Sequence, residues 1–170
     1  MSDAGIAQDV AALVDKQAIR EVTMRYFRGV DRLDAALIAS AFHPDAIDEH
    51  AGMVLHGADI GERLIELITA TSSMTIHHIS TQLIELDGDR AGGETYYFSL
   101  RTFEHDGEVT LGQSSGRYVD RFERRDGVWK IIHRQLLIEV LTGAGALEPT
   151  TRARRSREDP SYEVLGALPH

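Results

Sequence analysis

The chain has 170 residues, 42% of them hydrophobic, enough for one domain that buries roughly 70% of the surface its unfolded chain exposes. It carries 18 Lys and Arg against 27 Asp and Glu, a formal charge of −9, so its field repels phosphate backbones and anionic lipid and argues against nucleic-acid binding. With no cysteine there is no disulfide, thiolate metal site or thiol nucleophile. With no basic segment leading an apolar run and no window of 18 apolar residues, a soluble cytoplasmic protein is expected.

From Asp9 to Val30, apolar residues recur at Val10, Leu13, Val14, Ile19, Val22, Tyr26 and Val30, mostly in steps of three and four. This spacing predicts an amphipathic helix. "DRLDAALIASAF" restarts a helical pattern with Asp31 or Asp34 as its N-cap. "HPDAIDEHAGMVLHG" breaks that helix at Pro44 and reads as a short hairpin; "ADIGERLIELITATSS" then gives a third helix with Ile60, Leu64, Ile65 and Leu67 or Ile68 inward.

Three Asp-Gly pairs follow, Asp87-Gly88, Asp106-Gly107 and Asp126-Gly127, spaced 19 and 20 residues apart. Such pairs are the strongest short hairpin signal. They cut out four strands over about 74–86, 90–105, 108–125 and 128–142, longer than the usual five or six residues, so bending at bulges is expected near Gly92, Gly93, Gly112 and Gly116. The predicted class is α+β: a cone with a bent, mainly antiparallel sheet and N-terminal helices covering a pocket over residues 1–142. Residues 143–170, with the aperiodic charged run "RARRSREDPS", are expected to be a mobile tail or a partner-contacting arm. Long exposed strands invite pairing between copies, so a homo-oligomer is expected, a dimer or a trimer.

"MTIHHISTQ", Met74 to Gln82, sets His77 and His78 side by side in a β-rich run, where only one can face the interior. Other polar residues that could join it are Tyr26, Asp31 and Asp34 at the end of the first helix, and Arg101, Arg117, Tyr118, His133 and Arg134 on strands. A carboxylate bound to one imidazole nitrogen fixes the tautomer and favours the protonated ring, leaving the other nitrogen to exchange a proton with substrate. Such a dyad suits elimination of water, halide or another small group and requires neither metal nor organic cofactor. A tyrosine nearby could bond a carbonyl or hydroxyl. The set His43, Asp45, Asp48, Glu49, His50 and His56 has ligand-type side chains but follows no metal-binding spacing, so no metal is expected there.

Three stretches, "RYFRGVDRLD", "TIHHIST" and "DRFERRDGVWKIIHR", in that order, resemble the SnoaL-like branch of the nuclear transport factor 2-like superfamily over about residues 10 to 142. The first two are similar to scytalone dehydratase, hexachlorocyclohexane dehydrochlorinase and bile acid 7α-dehydratase, members in which an Asp at the end of the first helix partners a His on the first long strand. The resemblance implies Asp31 and His77 as that pair, with Tyr26 as an oxygen-positioning tyrosine, and puts His78 on the opposite face. It implies a cofactor-independent lyase acting on a small hydrophobic cyclic or aromatic molecule. Two features depart from the pattern. Leu100 and Ile138 stand where the bile acid enzyme has polar pocket residues, and neither His105 nor His133 matches the second histidine of scytalone dehydratase. Since the superfamily also holds non-catalytic members, a hydrophobic-ligand-binding or regulatory domain is the alternative.

Overall fold

The computed structural model describes residues 2–143, 156 and 158–166. Helices α1 (Asp3–Arg32) and α2 (Ala35–Ser40) precede a hairpin of β1 (Phe42–His50) and β2 (Met53–His56). Helix α3 (Ile60–Thr71) leads into β3 (Met74–Asp87), β4 (Arg90–His105), β5 (Glu108–Arg125) and β6 (Val128–Thr142), and α4 (Pro160–Leu165) follows. The architecture is α+β. One six-stranded sheet runs β2-β1-β6-β5-β4-β3; its pairs are antiparallel except β1 with β6, which run parallel.

Turn chemistry sets the strand ends. Asp106-Gly107 and Asp126-Gly127 are two-residue loops with φ of 52° and 79°, and of 51° and 77°, the left-handed pair a type I′ turn demands. The first Asp-Gly pair is used differently: Asp87 still pairs with Arg90, so the loop is Gly88-Asp89 with positive φ at Gly88 only. The sheet bends where register slips, between Ile79 and Gln82 on β3, and between Ser115 and Gly116 and between Arg121 and Phe122 on β5. At Gly116 a Cβ would fall 1.9 Å from the Leu137 carbonyl oxygen, so the two backbones approach as only glycine permits.

The concave face is filled by α1, α2 and α3. Ile19, Val22, Tyr26, Phe27 and Val30 of α1 and Ile60, Leu64 and Ile68 of α3 are buried against it, each such side chain contributing about 1.5–3 kcal/mol. The first turns of α1 differ from the sequence expectation: Val10, Leu13 and Val14 are 53, 65 and 63% exposed. They extend past the cover of the sheet, whose last tie to the helix here is Asp15, accepting from Trp129 Nε1 and Arg124 Nη1, both at 2.8 Å.

On the outer face, α4 packs across β4 so closely that a Cβ on Gly92 would sit 2.0 Å from the Val164 carbonyl oxygen. Just before α4, Asp159 binds Arg117 through both carboxylate oxygens, at 2.9 and 2.8 Å. Part of the expected tail is thus held on the sheet; residues 144–155, 157 and 167–170 lie outside the described residues. Among the described residues no helix is long and apolar enough to cross a membrane.

Candidate active site

Helix α1 closes with Leu33 in the left-handed conformation (φ 52°), and Asp34 then caps α2 by accepting the Leu37 N–H at 2.9 Å. With capping assigned to Asp34, the Asp31 carboxylate on the last turn of α1 turns to β3. Its Oδ1 accepts from His77 Nδ1 at 2.7 Å and its Oδ2 from the His77 backbone N–H at 3.0 Å. An ionised carboxylate only accepts, so Nδ1 carries the proton and Nε2 holds the lone pair. Nε2 makes no hydrogen bond among the described residues. The imidazole side chain is 3% exposed, the carboxylate 15%, and Phe27 and Tyr97 stack near the ring at centroid distances of 5.2 and 6.1 Å. His78 points to the outer face, beside the ring of Phe98.

Burial corrects one expectation from sequence. Asp31 does pull the imidazole toward its charged form, through its hydrogen bond and its charge, but desolvation outweighs both. With Arg101 and His50 adding like charge, His77 titrates below its ordinary 6.5. The neutral ring, a base, is the resting form at neutral pH.

Around His77 the concave face carries a small square of side chains. Thr75 and His77 on β3 lie opposite Arg101 and Ser99 on β4, and directly paired residues share a face. Thr75 Oγ1, Ser99 Oγ and Arg101 Nε are all buried without a hydrogen-bond partner among the described residues. Native interiors leave few such groups unmet, so three in one patch mark it out. Ser114, next across on β5, bonds the Tyr97 hydroxyl at 2.8 Å.

Deeper in the cone, Arg134 and Asp120 are both fully buried and joined by two 2.7 Å bonds. The Arg134 guanidinium lies 4.1 Å from the Tyr26 ring centroid and 4.5 Å from that of Tyr118. Tyr26 is 0% exposed, packed edge-on against Phe27, Phe42 and Tyr118, and its hydroxyl has no hydrogen-bond partner among the described residues. Burial, with the charge of Asp48, holds that phenol far above its usual range, so it stays a neutral donor. His50, whose Nδ1 is 3.5 Å from Asp48 Oδ2, also faces inward.

A cavity of about 40 Å³ opens at the mouth of the cone, lined among others by His50, Arg101, Phe103, Ser114, Ile138 and Leu141. Ile138 lines it as the sequence implies. Leu100 does not, because its neighbour Arg101 does and successive strand residues face opposite ways. His77 lies beyond the lining, one diagonal step from Arg101. The Phe103 ring rests on Gly112, where a Cβ would meet it at 2.5 Å. A cleft of about 510 Å³ on the outer face, between Arg117 and α4, does not touch the dyad.

The residues weighed as metal ligands scatter. His43 binds the Glu123 carbonyl, Asp45 binds Arg125, and Glu49 binds His133. Among the described residues no group of three His, Asp or Glu is placed to hold a metal ion. His50, read in sequence as part of a charged hairpin, is brought into the cavity by the parallel pairing of β1 with β6.

Solved structures share this architecture. A hexachlorocyclohexane dehydrochlorinase, LinA-type3, from Novosphingobium barchaimii aligns with 86% of this chain and 99% of its own at 21% identity and a TM-score of 0.70. A protein from Novosphingobium aromaticivorans, provisionally named a scytalone dehydratase, aligns with 84% of this chain and 97% of its own at 22% identity and a TM-score of 0.68. A Mycobacterium tuberculosis protein of unknown function reaches 25% identity over 75% of this chain and 77% of its own, with a TM-score of 0.63. No curated protein matches the sequence. The family model of the SnoaL-like domain matches residues 11–135, and the chain therefore belongs to the SnoaL-like family of the nuclear transport factor 2-like superfamily.

Proposed function

We propose that this protein is a cofactor-independent lyase that eliminates a small group from adjacent carbons of a small hydrophobic cyclic or aromatic molecule. His77 is its catalytic base and Asp31 the positioning residue. Nε2 of His77 takes a proton from carbon, the electron pair of that C–H bond becomes the new double bond, and the leaving group departs from the neighbouring carbon with its bonding pair. Asp31 stabilises the imidazolium formed, which then returns its proton to the leaving group or to water. Tyr26 donates its hydroxyl to a substrate oxygen that reaches the floor of the cone.

The observation that carries the reading is the two-point grip of Asp31 on His77, by the 2.7 Å bond to Nδ1 and the 3.0 Å bond from the backbone N–H. It fixes tautomer and ring direction together, and burial keeps Nε2 unprotonated at neutral pH. Dehydrochlorination and dehydration, the activities in the names of two of the similar proteins, are both eliminations of this kind. A cavity of about 40 Å³ has room for about one water, so a ring-sized substrate enters by displacing side chains at the mouth, Phe103 first.

A screen of cyclic halides, alcohols and hydroxy ketones with the full chain tests this. His77→Gln is expected to abolish turnover with an unchanged circular dichroism melt. Asp31→Asn is expected to lower kcat by about 10²-fold or more and to change the pH profile, which a purely structural role would leave alone. Wild-type rates in His77→Gln would sink the proposal. Ligand binding that persists in that variant, with no product from any substrate after prolonged incubation, would leave a binding domain instead.

A further inference from the structure

Inside the cone, the cationic and imidazole groups have acidic partners with one exception. His77 is held by Asp31, Arg134 is bidentate on Asp120, and His50 lies beside Asp48. Arg101 alone among them makes no ion pair among the described residues, and its Nε is buried without a hydrogen bond. The residue as a whole is only half-buried, with its Nε shielded from water; an anionic ligand that covers the rest of the guanidinium would supply both the counter-charge and the missing hydrogen bonds.

The surroundings suit one kind of anion. Guanidinium presents a planar fork that matches a carboxylate in two parallel bonds. Thr75, directly across from Arg101, and Ser99, two residues before it on the same face, add hydroxyls that have no partner of their own. The cavity that Arg101 lines has an apolar wall of Phe103, Leu136, Ile138 and Leu141, a surface for hydrocarbon, beside the polar His50, Gln113 and Ser114. His77 and Arg101 are diagonal neighbours across β3 and β4, about 7–8 Å apart along the sheet.

We propose that Arg101, with the hydroxyls of Thr75 and Ser99, forms an anion subsite for a substrate carboxylate, so that the molecule acted on is a small cyclic or aromatic acid. This rests on the lyase reading for what happens next: a carboxylate held at Arg101 directs the carbons one or two bonds away toward Nε2 of His77. Negative charge that builds on its oxygens as the proton leaves is met by the guanidinium. Arg101 thereby selects the substrate and stabilises the carbanion-like transition state, while taking no proton itself.

The test is binding by the full chain of benzoate and cyclohexanecarboxylate against benzamide and cyclohexanecarboxamide, measured by titration calorimetry. In the wild type each acid is expected to bind about tenfold or more tighter than its amide. Arg101→Gln should remove that preference, Arg101→Lys should keep part of it, and His77→Gln should keep all of it. Equal binding of acid and amide, failure of both acids to bind at millimolar concentration, or a preference that survives Arg101→Gln would overturn the subsite. The two readings separate cleanly. Turnover of a neutral substrate by a protein blind to acids would remove the subsite and leave the lyase, whereas Arg101-dependent acid binding with no product from any acid would support the subsite and remove the lyase.

Discussion

Two buried or half-buried arginines on opposite faces of the β4–β5 hairpin, Arg117 and Arg101, are treated in opposite ways. On the outer face the Arg117 guanidinium is met by Glu94, Glu139 and Asp159 at 2.7 to 2.9 Å. These carboxylates raise its pKa despite burial. On the inner face Arg101 meets none among the described residues. A saturated network fixes structure, here the approach of α4 to the sheet; a polar group left without partners in an otherwise well-packed interior calls for an explanation, which the proposed subsite supplies as a ligand. The large cleft near α4 is therefore the anchored part of the molecule, and the small, nearly closed cavity is the part poised to bind.

Stability measurements can break this comparison, and the three arginines should fall in order. Arg134→Met, which strands Asp120 at 0% exposure, is expected to cost about 3–5 kcal/mol in urea unfolding. Arg117→Met should cost less, about 1–3 kcal/mol, because Asp159, 2% exposed in place, can regain water if the α4 segment lifts from the sheet, and Glu139 is already 35% exposed. Its signature is local: faster hydrogen exchange in 158–166 with the strands unaffected. Arg101→Gln should change stability by no more than about 0.5 kcal/mol in either direction, since no native pair is broken. A loss as large as that of Arg117→Met would mean that Arg101 has a structural partner and would end the contrast between the faces.

How far the sequence could be read follows the same division between local and distant causes. The hairpins at Asp106-Gly107 and Asp126-Gly127 were legible because left-handed backbone is written in the turn residues themselves. Alternation says that only one of the two histidines faces inward; the family motifs single out His77 and, with it, Asp31. Leu100 is where this fails. Counting back from the pairing of Asp87 with Arg90 in an unbroken ladder sets His77 opposite Leu100; the one-residue slip between Ile79 and Gln82 sets it opposite Ser99 instead. The extra residue lies in β3, because β4 pairs with β5 without a break; the slip therefore turns His77 and Thr75 to the face that Ser99 and Arg101 occupy and leaves Leu100 on the other. The parallel pairing of β1 with β6 has no turn to announce it, and with it went the inward place of His50. The sequence leaves open whether His77 acts as acid or base for a related reason: the rings that bury it, such as Phe27 and Tyr97, are remote in sequence.

The protonation of His77 supplies the finest test of the inner face. The groups acting on His77 are Asp31 from α1, which favours the charged ring, and Arg101 from β4 and His50 from β1, which oppose it together with burial. Because the folded-state pKa is depressed, the folded protein binds this proton less readily than the unfolded chain does. The associated stability is present above the unfolded value of about 6.5 and is lost as pH falls through the folded one. The same proton inactivates a base, so the acid limb of kcat/KM should lie below pH 6.5, and nitrogen NMR of the imidazole should give the same midpoint. Arg101→Gln removes one of the opposing charges and should move both upward together. A carboxylate ligand should move the imidazole midpoint upward in the wild type by offsetting the same charge, but not in Arg101→Gln. An acid limb above 6.5 would make the charged ring the resting form and His77 an acid, and a limb that ignores Arg101 would place the guanidinium too far away to share a substrate with it.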